Sequence, residues 1–116
     1  MPNVSILMNC FNGAQFLKEA INSVYAQTYS DWEIIFVDNC STDESQKIAN
    51  SYDSKIKVFE TDKNIPLGAA RNFGIKQCSG RYIAFLDVDD VWLPNAIEKL
   101  LILITSGDYA LAYAGH

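Results

Sequence analysis

Three carboxylates, Asp87, Asp89 and Asp90, follow directly on the apolar run Tyr82-Ile83-Ala84-Phe85-Leu86, with only Val88 among them. Each close pair of like charges at about 4 Å and an effective dielectric near 20 costs on the order of 4 kcal/mol. A hard divalent cation with oxygen ligands is the simplest species that offsets such repulsion. The other reading is an acidic loop with a helix N-cap at Asp90, since Leu93-Pro94 opens a helix soon afterwards. The residues alone leave both open. Two more polar breaks end apolar runs: Asn9-Cys10-Phe11-Asn12 after Val4 to Met8, and Asp38-Asn39 after Glu33 to Val37.

The elements that must position these groups alternate along the chain. Val4 to Met8 reads as a first strand, followed by a helix with Asn12 as N-cap and a buried stripe of Leu17, Ala20, Ile21, Val24 and Tyr25. Glu33 to Val37 is a second strand. Ser41 and Glu44 have the offset of a capping box, which predicts a helix from about Thr42 to Ser51. Ile56 to Glu60 is a third strand. Leu67 to Cys78 is a helix whose Gly68, Ala69, Ala70 and Gly74 permit close backbone approach.

Tyr82 to Leu86 has the composition of a strand buried on both faces. Pro94 suits the first turn of a last helix, with Ile97, Leu100, Leu101 and Ile104 inward and Ser106-Gly107 as its stop. Tyr109 to Ala114 begins another strand. Such alternation predicts an α/β, Rossmann-like, mostly parallel sheet with helices on both faces. The polar breaks after strands one, two and four then converge at the carboxyl edge, where open α/β sheets bind ligands.

The chain has 116 residues, one domain's length and enough for a real core, and its hydrophobic share of 49% and charged share of 20% are those expected of a soluble globular protein. The formal net charge is −5 and the nine basic residues are scattered, which argues against a nucleic-acid partner. The aliphatic run Leu100 to Ile104 is too short for a transmembrane segment, and no Lys or Arg precedes Lys18 to open a signal peptide. Cys10, Cys40 and Cys78 lack zinc spacing and read as reduced thiols. The expected location is cytoplasmic, with peripheral attachment to the inner face of the membrane left open.

The run Asp38-Asn39-Cys40-Ser41-Thr42-Asp43 resembles the V-D-(D/N)-x-S-x-D signature of the inverting nucleotide-sugar glycosyltransferases of family two. Ala26-Gln27-Thr28-Tyr29, Ala70-Arg71-Asn72 with Gly74-Ile75, and Phe85-Leu86-Asp87-Val88-Asp89-Asp90-Val91-Trp92 are similar to that family's other landmarks in the same order. The likeness runs from about Val4 to Leu100. It implies the nucleotide-binding half of a GT-A fold across residues 1–116, truncated before an acceptor-binding half. It also implies transfer of a sugar from a nucleotide-diphosphate donor to an acceptor hydroxyl with inversion, in polysaccharide or cell-surface glycan synthesis.

By the same resemblance, Asn9, Cys10, Phe11 and Asn12 form a lip over the nucleoside, and Asp38 or Asn39 meets the base edge. Many relatives carry a second aspartate at the position of Asn39, which leaves the base undecided. Arg71 reaches base or phosphate. Asp87-Val88-Asp89 is the D-x-D element, with Asp87 towards the ribose and Asp89 on the metal, Mg²⁺ or Mn²⁺. The expected acceptor is a sugar or a lipid-linked glycan, and a homodimer is left open. No catalytic residue is expected within this fragment, because the family's general base lies in the second half, so the fragment should bind donor without transferring sugar.

Plainer roles stand beside these. Arg71 could pair with a surface carboxylate; Ser41 and Asp43 read as caps; Tyr25, Tyr29, Trp32 and Trp92 read as packing residues; His116 has no role. A non-catalytic nucleotide- or metal-binding module is the main alternative. A phosphoacceptor receiver domain fits poorly, since Asn9-Cys10 stands where it needs an acidic pair. A sugar nucleotidyltransferase would need a Gly-rich loop near the start.

Overall fold

The computed structural model describes residues 2–105, with the side chains of residues 104 and 105 left out of the account. In chain order the elements are β1 (Val4–Cys10), α1 (Ala14–Tyr25), β2 (Trp32–Asp38) and α2 (Ser45–Asn50). They continue with β3 (Ile56–Glu60), α3 (Leu67–Gln77), β4 (Tyr82–Phe85) and α4 (Ala96–Thr105). The four strands form one parallel sheet in the order β3-β2-β1-β4. The α/β fold expected from the alternation is present. No helix of the described residues is long and apolar enough to cross a membrane.

Strand alternation divides the core. Ile6, Met8, Ile34 and Phe36 face one way and pack with Leu17, Ala20, Ile21 and Val24 of α1, Ala49 of α2, and Ile97 and Leu100 of α4. Leu7, Ile35 and Val37 face the other way and pack with Phe73 of α3. Each fully buried Leu or Ile contributes about 1.5–3 kcal/mol, so these two layers hold the sheet between its helices. A Cβ at Gly74 would lie 2.4 Å from Leu7 Cδ1, so α3 sits close on β1 and any side chain there would displace Leu7.

Several expectations need correction. β1 runs on through Asn9 and Cys10, and β2 includes Trp32 and Asp38, because parallel pairing continues between Cys10 and Asp38. Within the described sheet β4 is an edge strand, so Tyr82, Ile83 and Phe85 are only half-buried and not enclosed on both faces. Gly68 faces open space and serves no close approach. Helix α2 starts at Ser45, and its Glu44 cap position makes no side-chain cap bond, so the capping box does not form. Pro94 lies in the turn before α4 and not in its first turn, and Asp90, well upstream of Ala96, does not cap that helix. The expected stop at Ser106-Gly107 and the strand Tyr109 to Ala114 lie outside the described residues.

The amino edge of the sheet is tied by Glu33, whose side chain is 3% exposed. Its carboxylate accepts from Lys57 Nζ at 2.6 Å, Ser5 Oγ at 2.5 Å, and the amide and hydroxyl of Ser79 at 2.8 Å each. Burial pushes this acid up, but those donors outweigh it and hold it at about 2. A depressed carboxylate stabilises the fold above its unfolded pKa, and that contribution is lost as pH falls through the folded value. It is worth about 3 kcal/mol. Stability should therefore decline between about pH 5 and pH 2, and Glu33→Gln should flatten that decline in urea melts taken across the range. An unchanged acid limb in the variant would remove Glu33 from this role.

Candidate nucleotide and metal site

The strand order sets where a ligand can enter. The chain steps from β1 to β2 to β3, then crosses back over α3 to lay β4 on the far side of β1. The direction of winding reverses between β1 and β4, and the loops leaving their carboxyl ends part there to open a crevice. Asn39 N donates to Cys10 O at 2.8 Å, joining the ends of β2 and β1. A Cβ on Gly13 would lie 2.7 Å from Val88 Cγ2, so the loop after β4 packs against the start of α1. The three polar breaks meet, as the parallel order requires.

The loops after β1 and β2 are clasped to each other. Asn12 and Cys40 both adopt left-handed backbone, with φ of 53° and 61°, which is uncommon for residues with a Cβ. Asn12 N donates to Ser41 Oγ at 2.8 Å, and Asn12 Oδ1 accepts from Thr42 N at 2.8 Å and Asp43 N at 3.3 Å. Gly13, not Asn12, holds the N-cap position of α1, and it has no side chain to cap with. The free amides are met from the neighbouring β2–α2 segment: Gly13 N donates to Ser45 Oγ and Ala14 N to Asp43 Oδ2, both at 3.1 Å. Ser41 Oγ is thus taken by Asn12 N, which is why no capping box forms at α2. Asp43 serves both helices, with Oδ2 on Ala14 N of α1 and Oδ1 on Ser45 N of α2 at 2.9 Å. Hydrogen bonds led by Ser45 Oγ hold the Asp43 carboxyl below its usual range.

An open cleft of about 210 Å³ lies beside this clasp, lined by Asn9, Cys10, Phe11, Asn39, Asn64 and Leu67. Phe11 and Leu67 are each more than half exposed and offer apolar faces. Asn9 Oδ1 is enclosed and accepts no hydrogen bond. Asn39 is 8% exposed; its Oδ1 accepts from Thr61 Oγ1 and Ile65 N, and its Nδ2 donates to Ile65 O. An amide nitrogen carries two hydrogens, so one remains for a ligand. Asp38 is 1% exposed beneath Ser41 N and presents no surface to the cleft. The Cys10 thiol lies in the core on the α1 side, where burial pushes it up. Asn64 and Leu67 were not anticipated, because nothing in Asp62-Lys63-Asn64-Ile65-Pro66 marks a loop that folds back onto Asn39.

Asp87 and Asp89 are exposed and Asp90 half-buried, and one carboxylate oxygen from each lies within 4.8 Å of the others. Oxygens on opposite sides of Mg²⁺ at about 2.1 Å stand about 4.2 Å apart. Small rotations would therefore close two of them on one ion, so the donor set fits Mg²⁺ or Mn²⁺. Asp90 N donates to Asp87 O in a tight turn, and Val88 points inward between the two exposed carboxylates. Arg71 of α3 lies with its guanidinium 5.9 Å from the centre of the Phe85 ring, at the last residue of β4. It forms no ion pair among the described residues, whose one salt bridge joins Lys57 to Glu33.

A winding reversal, a cleft lined by side-chain amides, and a carboxylate trio mark a candidate ligand site at the carboxyl edge of an α/β sheet. The chain belongs to glycosyl transferase family 2, whose model matches residues 5–116. It is 34% identical over 114 residues to the Escherichia coli UDP-Glc:alpha-D-GlcNAc-diphosphoundecaprenol beta-1,3-glucosyltransferase WfgD, covering 97% of this chain and 45% of that one. It is 41% identical over 117 residues to an uncharacterised glycosyltransferase of Rickettsia prowazekii, covering 99% of this chain and 36% of the other. Among solved structures it resembles S. aureus TarS 1-349 in complex with UDP, with a TM-score of 0.83 and 28% identity over 90% of this chain and 32% of that one. The chain spans less than half the length of these relatives. The GT-A fold expected from the signature motifs is the fold observed.

The Gly13–Val88 contact makes a direct check of the site's packing. Gly13→Ala forces Val88 or the start of α1 to move, an overpacking that costs about 1–3 kcal/mol. Melting of the variant should show that loss, accompanied by weaker Mn²⁺ binding. A variant as stable as the wild type would mean that the two loops are not in contact.

Proposed function

We propose that this chain is the donor-binding unit of a glycosyltransferase that takes a uridine diphosphate sugar and passes the sugar to an acceptor hydroxyl with inversion. The single observation that carries this reading is the open cleft at the carboxyl ends of β1 and β2, lined by two side-chain amides, Asn9 and Asn39, beside the exposed Phe11 and Leu67. A uracil edge offers the complement, an N3–H to give and a carbonyl oxygen to receive. Phe11 and Leu67 would flank the ring. The UDP held by the related TarS structure supports the choice of base.

Asp89 and Asp87 would hold Mg²⁺ or Mn²⁺, whose charge lets a diphosphate lie beside carboxylates and leave as an anion. Arg71 would add a guanidinium towards a phosphate oxygen pair. Asp38 and Cys10 would act from beneath, by supporting the strand ends, while Asn12 would hold the lip that carries Phe11. The named activity of the E. coli relative supports a lipid-linked glycan as acceptor, in polysaccharide synthesis. The general base would lie outside residues 1–116, so donor binding without transfer is expected of this chain.

Thermal melts with UDP and with GDP, each in Mn²⁺ or in EDTA, test the reading. UDP at 100 times its dissociation constant should stabilise by about 2.7 kcal/mol, a shift of roughly 10 °C for a domain of this size, with Mn²⁺ and far less in EDTA. Asp89→Asn should remove the Mn²⁺-dependent part alone. Asn9→Ala should weaken UDP about fivefold in both buffers, the worth of a hydrogen bond of about 1 kcal/mol. Equal shifts for UDP in Mn²⁺ and EDTA would sink the metal bridge, and equal shifts for UDP and GDP the base assignment.

A further inference from the structure

Helix α1 does more than cover the sheet. The segment that follows the acidic turn runs back along it, and buried side chains at the far end of the helix hold that segment. Ser23 Oγ accepts from Trp92 N at 3.1 Å. Gln27, 9% exposed, donates from Nε2 to Leu93 O at 2.7 Å and to Ser23 O at 3.0 Å, and its Oε1 accepts from Ile97 N at 3.0 Å. Thr28 N donates to Pro94 O at 2.8 Å. Gln27 thereby meets one of the free first-turn amides of α4 while holding the strand-like approach to it.

We propose that Gln27, with Ser23, is a positioning residue for the metal-binding turn at Asp87 to Asp90; this rests on the donor-site reading above. The turn hangs between two anchors. Upstream, Leu86 N donates to Leu7 O at 3.1 Å, so β1 sets where the turn begins. Downstream, the clamp on residues 92–97 sets where it must end. Between them lie the Asp87–Asp90 turn and the packing of Val88 on Gly13.

Only Val91 stands between Asp90 and the clamped Trp92, a span of at most about 7 Å of chain at full stretch, so there is little slack. A shift at the clamp therefore passes to the carboxylates, whose mutual repulsion already favours opening the turn. Nothing at the clamp touches the cleft of Asn9 and Asn39. The geometry thus separates two effects: base binding is independent of Gln27, and the metal's contribution depends on it.

The readout is the ratio of UDP affinity in Mn²⁺ to that in EDTA, by calorimetry on the protein. Gln27→Met keeps the length and burial but removes every clamp bond of the side chain. It should lower the ratio by about tenfold or more, the loss typical when partners that orient metal ligands are removed, with affinity in EDTA unchanged. Ser23→Ala should move the ratio the same way by less, and serves if Gln27→Met does not fold. Ile21→Val, a core change on the same helix, should leave the ratio intact. Hydrogen exchange at the Trp92 and Ile97 amides should quicken in Gln27→Met without any ligand present. A wild-type ratio in both clamp variants overturns the proposal, as does an equal loss in Ile21→Val. A wild-type protein with no Mn²⁺ effect at all refutes the donor-site reading itself.

Discussion

Everything at the carboxyl edge depends on β1 being paired in parallel on both sides, with β2 at one flank and β4 at the other. That arrangement requires the chain to reverse its winding beside β1, and the reversal leaves a gap that no crossover fills. It also places the ends of three strands at one level, although they are far apart in sequence. The pairing is held from below by the Glu33 network and from both faces by apolar layers. Because the sheet is buried on both faces, a register slip would turn Leu7, Ile35 and Val37 to the wrong layer. The site inherits its geometry from that constraint.

On this frame the loops divide the labour. The Asn12–Asp43 clasp holds two left-handed backbone positions and caps α1 from outside the helix, which fixes the root of the Phe11 lip. The Asn39 amide holds the loop that brings Asn64 and Leu67 to the cleft. The acidic turn is different, since its side chains repel each other and its position comes from neighbours: Leu7 upstream, Gly13 beneath and the end of α1 downstream. A rigid cleft for a base and a tethered turn for a cation suit a ligand with one apolar ring and one multiply charged tail.

Much of this was legible in the sequence, for definite reasons. Buried parallel strands are apolar runs, so β2 stands out, and the limits of the edge strand β3 coincide with Ile56 to Glu60 although only Ile56 is buried. The convergence of Asn9, Asp38 and Asp87 follows from alternation of elements alone. What local pattern could not convey is where polar side chains find partners. Asn9, Cys10 and Asp38 look like strand breaks but continue the ladder. Ser41 looks like the cap of its own helix but bonds across to Asn12. Gly68 and Gly74 look alike, yet only the second lies against a neighbour. Each of these outcomes is decided by a contact more than twenty residues away, or by none.

The most direct measurement is a crystal structure of the protein grown with UDP and Mn²⁺, with the metal located by its anomalous scattering. The account predicts a manganese peak within about 2.1–2.3 Å of an oxygen of Asp89 or Asp87, with the uracil ring against Phe11 and its edge on the Asn9 and Asn39 side chains. A nucleotide seated away from the gap between β1 and β4, or a manganese ion bound without any of these carboxylates, would contradict it.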